Sequence, residues 1–276
     1  MLGYRIDDWS DAYTNDAHIA GGHRWPAAWV EPARRFLEAA TTSGRARLDL
    51  GYGPRPRNRF DLFFPDGAPK GLVVFVHGGY WMQCDQRYLS HLAAGPLARG
   101  YAVAMPTYTH CPTVRISDIT SEIGAAVTAA AEQVAGPMML TGHSAGGHLV
   151  SRMICENAPL PPHVRSRIRH VVSISGLHDL RPLMHTAMNE TLGLIESEAL
   201  AESPALLRPK DGARITCWVG DDERPEFRRQ SALLANIWTG LGADTALVLE
   251  PNRHHFDVVD GLASPDHALT RALLEE

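Results

Sequence analysis

The sequence is poor in the features on which several simple assignments would rest. It has only 4 cysteines in 276 residues, Cys84, Cys111, Cys155 and Cys217. They are far apart and none sits in C-x-x-C spacing, so a disulfide framework or a redox pair has no support. Free, mostly buried thiols in a reducing compartment are expected. No apolar run approaches the roughly 20 residues of a membrane span. Basic residues (26) do not outnumber acidic ones (31), and the net charge of -5 leaves no electropositive footprint for nucleic acid. The amino-terminal stretch places Asp7-Asp8 where a secretory signal needs an apolar core, so a cytoplasmic location is expected. The 14 histidines invite a metal reading. There is, however, no H-E-x-x-H and no compact His/Asp cluster on one helix face, so neither metal nor cofactor is expected.

What is present is ordinary globular composition, 45% hydrophobic and 21% charged, enough for one large domain over residues 1–276. An amino-terminal extension covers about residues 1–45, with a helix expected over Pro26–Ala40 anchored by Trp29, Phe36 and Leu37. Arg45–Leu50 and Arg59–Phe64 alternate on either side of Gly51-Tyr52-Gly53-Pro54 and predict an antiparallel pair at a sheet edge. From residue 70 continuous apolar runs alternate with helical patterns. Leu72–Val76 reads as a strand covered on both faces, and Tyr101–Met105, Met138–Leu140, Val171–Ile174, Ile215–Val219 and Thr245–Leu249 read as the strands that follow. Helices are expected over Gln86–Ala98, Ile116–Val134, the segment after Gly146, Glu226–Leu241 and Pro265–Leu274. This alternation predicts a mostly parallel eight-stranded α/β sheet with helices on both faces. Ligands of such sheets bind at the carboxyl ends of the strands. A helical insert near residues 178–210 interrupts the pattern, either as a packing element or as a small lid.

The chemistry is carried by Gly142-His143-Ser144-Ala145-Gly146. A strand, a G-x-S-x-G turn and a helix in that order are the context of a nucleophile elbow, whose turn is too sharp for ordinary side chains beside the serine. Ser144 is therefore the candidate nucleophile. His77-Gly78-Gly79-Tyr80-Trp81, directly after the strand ending at Val76, is a loop whose glycines let backbone N–H groups face that serine. The N–H of Ala145 is the other expected oxyanion donor. The base is expected after the last strand, at His254 or His255. The acid is expected one strand earlier, among Asp221, Asp222 and Glu223. The order serine, acid, histidine is that of α/β hydrolases. A catalytically inactive small-molecule binder is the reading from another class, and it is disfavoured because every role of the triad has a candidate.

These residues resemble the serine-dependent kynurenine formamidases (arylformamidases), a branch near the hormone-sensitive-lipase-type esterases. The resemblance rests on the two glycine motifs, on Gly147-His148-Leu149 and on Ser175-Gly176-Leu177-His178-Asp179-Leu180-Arg181-Pro182-Leu183. It extends to Arg224-Pro225-Glu226-Phe227-Arg228-Arg229-Gln230-Ser231 and to His255-Phe256-Asp257, and it covers roughly residues 10–270. It implies an α/β-hydrolase fold with Glu223 as the acid, where many relatives carry Asp, and His255 as the base. The implied oxyanion donors are the N–H groups of Gly79, Tyr80 and Ala145. The implied reaction is hydrolysis of an N-formyl aryl amine through an acyl-enzyme, a carboxylesterase acting on short-chain esters being the alternative.

Gly78, Trp81, Tyr108, His143, Met184 and Phe227 are the candidate substrate-binding residues. Tyr80 and Trp81 follow the oxyanion glycines, so Trp81 is expected either to offer an aryl ring a flat apolar face or to pack beneath the loop. The expected partner is a small-molecule substrate, with no nucleic acid and no membrane. A homodimer is compatible with the sequence, which fixes no oligomeric state.

Overall fold

A computed structural model describes residues 5–274; Met1–Tyr4, part of the stretch inspected above for a leader, lie outside them. The chain forms eight strands, β1 (Ala46–Gly51), β2 (Arg59–Phe63), β3 (Leu72–Val76), β4 (Ala102–Pro106), β5 (Met138–His143), β6 (Ile168–Ile174), β7 (Arg214–Gly220) and β8 (Asp244–Glu250). They make one sheet in the order β1-β2-β4-β3-β5-β6-β7-β8. β1 and β2 are the antiparallel edge pair, β2 also runs antiparallel to β4, and all strands from β3 onward are parallel. The order places β3 beside β5 in register, Val76 opposite Gly142. The two glycine-bearing turns thus emerge side by side at the carboxyl edge.

Five main helices cover the sheet: α1 (Trp25–Thr42), α2 (Ile116–Gln133), α3 (Ala145–Arg152), α4 (Pro225–Thr239) and α5 (Ala268–Leu274). Side chains alternate across a strand, and the core divides accordingly. Leu72, Val74 and Val76 pack with Ile119, Ile123 and Val127 of α2 and Leu149 of α3. Val73 and Phe75 face the other way, with Trp29 of α1 and Leu269 and Leu273 of α5. Both faces of the central strands are dry, which explains their unbroken apolar runs. The helix expected over Gln86–Ala98 is instead two 3₁₀ turns, Gln86–Tyr88 and Ser90–Ala93, and a short helix Ala94–Ala98. Ser90, Gly95 and Pro96 are weak helix formers within that span.

The insert holds 3₁₀ turns at Arg181–His185 and Pro204–Leu206 and short helices at Asn189–Leu192 and Glu196–Glu202. Buried carboxylates fasten it to the helices beneath. Glu198 accepts from Arg115 Nε at 2.9 Å and from the Ser117 hydroxyl at 2.9 Å. Glu202 accepts from Thr120 at 2.6 Å and from Arg152 at 3.0 Å, and its carbonyl takes the His148 Nε2–H at 2.7 Å. Among the described residues, no helix is long and apolar enough to cross a membrane.

Candidate active site

Ser144 stands between β5 and α3 at φ 55°, ψ -117°, a conformation that costs a non-glycine residue energy and persists only where its surroundings fix it. Its N–H donates to the Ile174 carbonyl at 2.8 Å, pinning the turn to β6. The helix then passes so close to β3 that a Cβ on Gly146 would lie 2.0 Å from the Val76 carbonyl oxygen. Only glycine fits there, which is the steric reason for the motif's last letter.

His255 lies in the loop after β8, and Glu223 in the loop after β7. His255 Nδ1 meets Glu223 Oε2 at 2.7 Å, with both side chains buried. The second carboxylate oxygen of Glu223 accepts from the Ser175 hydroxyl at 2.5 Å and the Gly220 N–H at 2.9 Å. Asp222 is exposed and Asp221 accepts from the Asn252 N–H at 2.7 Å; of the three acids considered, Glu223 alone meets the imidazole. His254 is engaged elsewhere, against Asp257 and the edge of Trp25. His143 Nε2 donates to the His255 carbonyl at 2.8 Å, and its ring lies 4.6 Å from the His255 ring. Burial, reinforced by the neighbouring His255, holds the His143 pKa well below the usual histidine value, so it stays a neutral donor. Ser144 and His255 share a cavity wall without a hydrogen bond between them. Such bonds commonly tighten only once substrate is in place.

The loop after β3 is shaped by its own left-handed residues, with φ of 101°, 52° and 60° at Gly79, Tyr80 and Trp81. The His77 ring lies stacked on Tyr108, centroids 4.4 Å apart, and its Nδ1–H donates to the Gly78 carbonyl at 2.7 Å. The Tyr108 hydroxyl approaches the same carbonyl at 3.2 Å. Burial pushes the His77 pKa down to about 3, keeping it neutral. In a trans peptide the N–H points opposite the C=O, so anchoring the Gly78 carbonyl turns the Gly79 N–H away from those rings. The N–H groups of Gly79, Tyr80 and Ala145 donate to no protein acceptor among the described residues. A Cβ on Gly78 would lie 3.0 Å from Ser144 Cβ, which places the loop hard against the elbow.

A cavity of about 320 Å³ opens here, lined by Gly78, Gly79, Tyr80, His143, Ser144 and His255. Four expected pocket residues lie elsewhere. Trp81 is buried beneath the loop, its ring 5.3 Å from that of His148. Tyr108 backs the oxyanion loop as described. Phe227 is buried with its ring 4.4 Å from that of His255 and does not line the cavity. Met184 packs against the core within the insert, and no residue of 178–210 lines the cavity. The apolar wall is supplied instead by Trp29, Tyr88 and Phe256, with Asp16 and His23 among its polar members. Trp29 meets Phe256 edge-on at 5.7 Å. As a helix anchor Trp29 is legible in the sequence, and its clustering with Trp25 and Pro26 is the one local signal of a further role, but nothing local says that the extension folds over the carboxyl edge. Cys84 also lines the cavity, yet burial pushes its thiol up to about 11, which leaves little thiolate. Among the described residues no three His, Cys, Asp or Glu side chains group to hold a metal.

A family model, BD-FAE, matches residues 60–208, more than half of the chain. The chain belongs to this family. The matched region carries the loop after β3, the turn at Ser144 and most of the insert. The chain is also similar to the kynurenine formamidase of Danio rerio, 26% identical over 99% of this chain and 94% of that protein. The crystal structure of a proposed thioesterase from Silicibacter sp. tm1040 superimposes with a TM-score of 0.91 at 48% identity, covering 96% of this chain and 98% of that one. Esterase B from Lactobacillus Rhamnosis shares the fold, with a TM-score of 0.64 at 17% identity over 92% of this chain and 91% of that one. The BD-FAE chain is thus an α/β hydrolase, an enzyme that acts on an amide or an ester.

Proposed function

We propose that the protein is a serine hydrolase that removes a small acyl group, formyl above all, from an aryl amine resembling N-formylkynurenine. The observation that carries this reading is that His255, paired with the buried Glu223, shares a cavity with the strained Ser144. Ser144 Oγ attacks the acyl carbon while its proton passes to His255 Nε2. The carbonyl electron pair moves onto oxygen, and the oxyanion accepts from the N–H groups of Gly79, Tyr80 and Ala145. Each such donor is worth about 2.7–4 kcal/mol in the transition state. The intermediate collapses with cleavage of the C–N bond, and His255 hands its proton to the departing amine. Water, deprotonated by His255, then attacks formyl-Ser144; formate leaves and the serine recovers its proton. Glu223 holds the Nδ1–H tautomer throughout.

The aromatic wall of Trp29, Tyr88 and Phe256 supports an aryl leaving group, each ring contact being worth about 0.5–1.5 kcal/mol beyond area burial. The full-length similarity to a kynurenine formamidase favours the formyl amide. The 48% identical structure described as a thioesterase favours a second reading, a short-chain ester or thioester. The test is kcat/KM on N-formylkynurenine, p-nitrophenyl acetate, butyrate and octanoate, and acetyl-CoA. Formyl amide ahead of acetate, with activity falling as the acyl chain lengthens, supports the formamidase reading. A thioester or octanoate at the head of the series replaces it.

A further inference from the structure

Ser175 directly follows β6 and is wholly buried. It stands at φ 51° although it is not glycine, a conformation that a residue with a Cβ adopts at a cost. The backbone is held there by its N–H, which donates to the Trp218 carbonyl at 2.7 Å on the neighbouring strand β7. The side chain does one thing: its hydroxyl donates to Glu223 Oε1 at 2.5 Å. The Gly220 N–H donates to the same oxygen at 2.9 Å, and Glu223 Oε2 takes His255 Nδ1 at 2.7 Å. Both oxygens of the carboxylate are therefore occupied, from three directions. Glutamate carries one more rotatable bond than aspartate, so a glutamate acid has a torsion to be stopped, and the serine hydroxyl is placed to stop it. Ser175 does not line the cavity, so it touches no substrate.

Resting on the triad reading above, we propose that Ser175 is a positioning residue which locks the Glu223 carboxylate in the plane that His255 needs, and that backbone strain is tolerated at this position for the sake of the hydroxyl. Replacement by glycine separates the two effects. Ser175→Gly relieves the left-handed strain while deleting the donor, so it should keep or raise the melting temperature and yet lower kcat. A charged-group hydrogen bond of the usual strength converts to a loss of roughly ten- to a hundredfold, with KM moving less than about twofold because no substrate contact is lost. The effect should also vanish where Glu223 can no longer be positioned. In a Glu223→Gln background, Ser175→Gly should lower kcat by less than about threefold more.

The measurements are kcat, KM and Tm for Ser175→Gly, Ser175→Ala, Glu223→Gln, the Ser175→Gly/Glu223→Gln double variant and Ser144→Ala, on whichever panel substrate is turned over fastest. A fall in kcat at unchanged KM and undiminished Tm in Ser175→Gly, non-additive with Glu223→Gln, supports the proposal. A kcat within twofold of the parent, a kcat that falls only in step with Tm, or full additivity overturns it. Ser144→Ala tests the underlying reading separately: if it retains turnover, the triad itself is wrong, whatever Ser175 does.

Discussion

Ser144, Tyr80 and Ser175 all carry positive φ, and all three lie at the carboxyl edge, at the elbow, in the oxyanion loop and behind the acid. Strain concentrated where chemistry is proposed, held at Ser144 and Ser175 by hydrogen bonds to neighbouring strands and at Tyr80 by its hydroxyl against Tyr13 and Asn15, is the mark of a preorganised site. The acid gives the sharpest prediction at this scale. Glu223→Gln removes the charge that holds the Nδ1–H tautomer of His255, and kcat should fall by about 10³–10⁴-fold. Asp222→Asn, at an exposed side chain, should stay within about twofold. Steady-state kinetics on purified variants decides between them, and the reverse ranking would move the acid by one residue. Ser144→Ala should abolish labelling by a fluorophosphonate probe, read by mass spectrometry of the intact protein; label retained at another residue would remove Ser144 from its role.

At the scale of the element, the amino-terminal segment is the part of the site that local pattern did not disclose. Glycine spacing is a steric requirement at one turn and can be read from a few letters, which is why the elbow and the oxyanion loop were legible. The central parallel strands were legible because burial on both faces leaves them uniformly apolar, whereas β8 lies at the sheet edge with Leu247 and Leu249 exposed. The wall from Asp16 to Trp29 depends on contacts made across most of the chain, and no local rule encodes those. For Trp81 the sequence left two places open, a pocket wall or the space beneath the loop, and the structure takes the second, with Tyr80 and Trp81 both left-handed. The segment is anchored through buried polar bonds. The Tyr13 hydroxyl donates to Glu226 Oε2 at 2.7 Å and accepts from Gln230 Nε2 at 2.9 Å, while the Asn15 amide and the Tyr13 carbonyl both meet the Tyr80 hydroxyl, at 3.0 and 3.1 Å. Tyr13→Phe leaves two buried partners short of a bond, a loss of about 1–3 kcal/mol. Because the hydroxyl fastens to α4 the same segment whose backbone carbonyl at Tyr13 meets the Tyr80 hydroxyl, loosening it should raise KM for an aryl substrate as well. Urea unfolding together with KM on an aryl and an alkyl ester reads both effects; a stability loss with no change in KM would detach the anchor from the pocket.

Across the whole molecule, the buried histidines set the response to acid. Burial pushes His77, His148 and His178 down to about 3, and His143 well below its usual value, so all four are neutral in the folded protein. The unfolded chain titrates them near 6.5. Below that pH the unfolded state binds protons that the folded state refuses, so the stability due to their neutrality is complete above about pH 6.5 and is lost as pH falls towards 3. Each such group removes about 1.4 kcal/mol per pH unit across that window. Asp260, raised to about 6 by burial, and Asp61, also raised by burial, act in the opposite sense, since the folded state holds their protons longer. Burial also lowers His91 and His110 to about 4, so the histidines kept neutral outnumber the two raised carboxyls, and unfolding takes up protons on balance near pH 5. Domains are commonly stable by only about 5–15 kcal/mol, so the urea midpoint should fall steeply between pH 6.5 and 5 and the fold should fail not far below. Replacing His148, whose Nε2–H serves the Glu202 carbonyl, by Gln supplies an amide donor without a titrating group. It should lower the slope by about one proton even if it costs stability at pH 7.5. A midpoint flat from pH 7 to 5, or a slope unchanged in His148→Gln, would show that these imidazoles are not what limits the protein in acid.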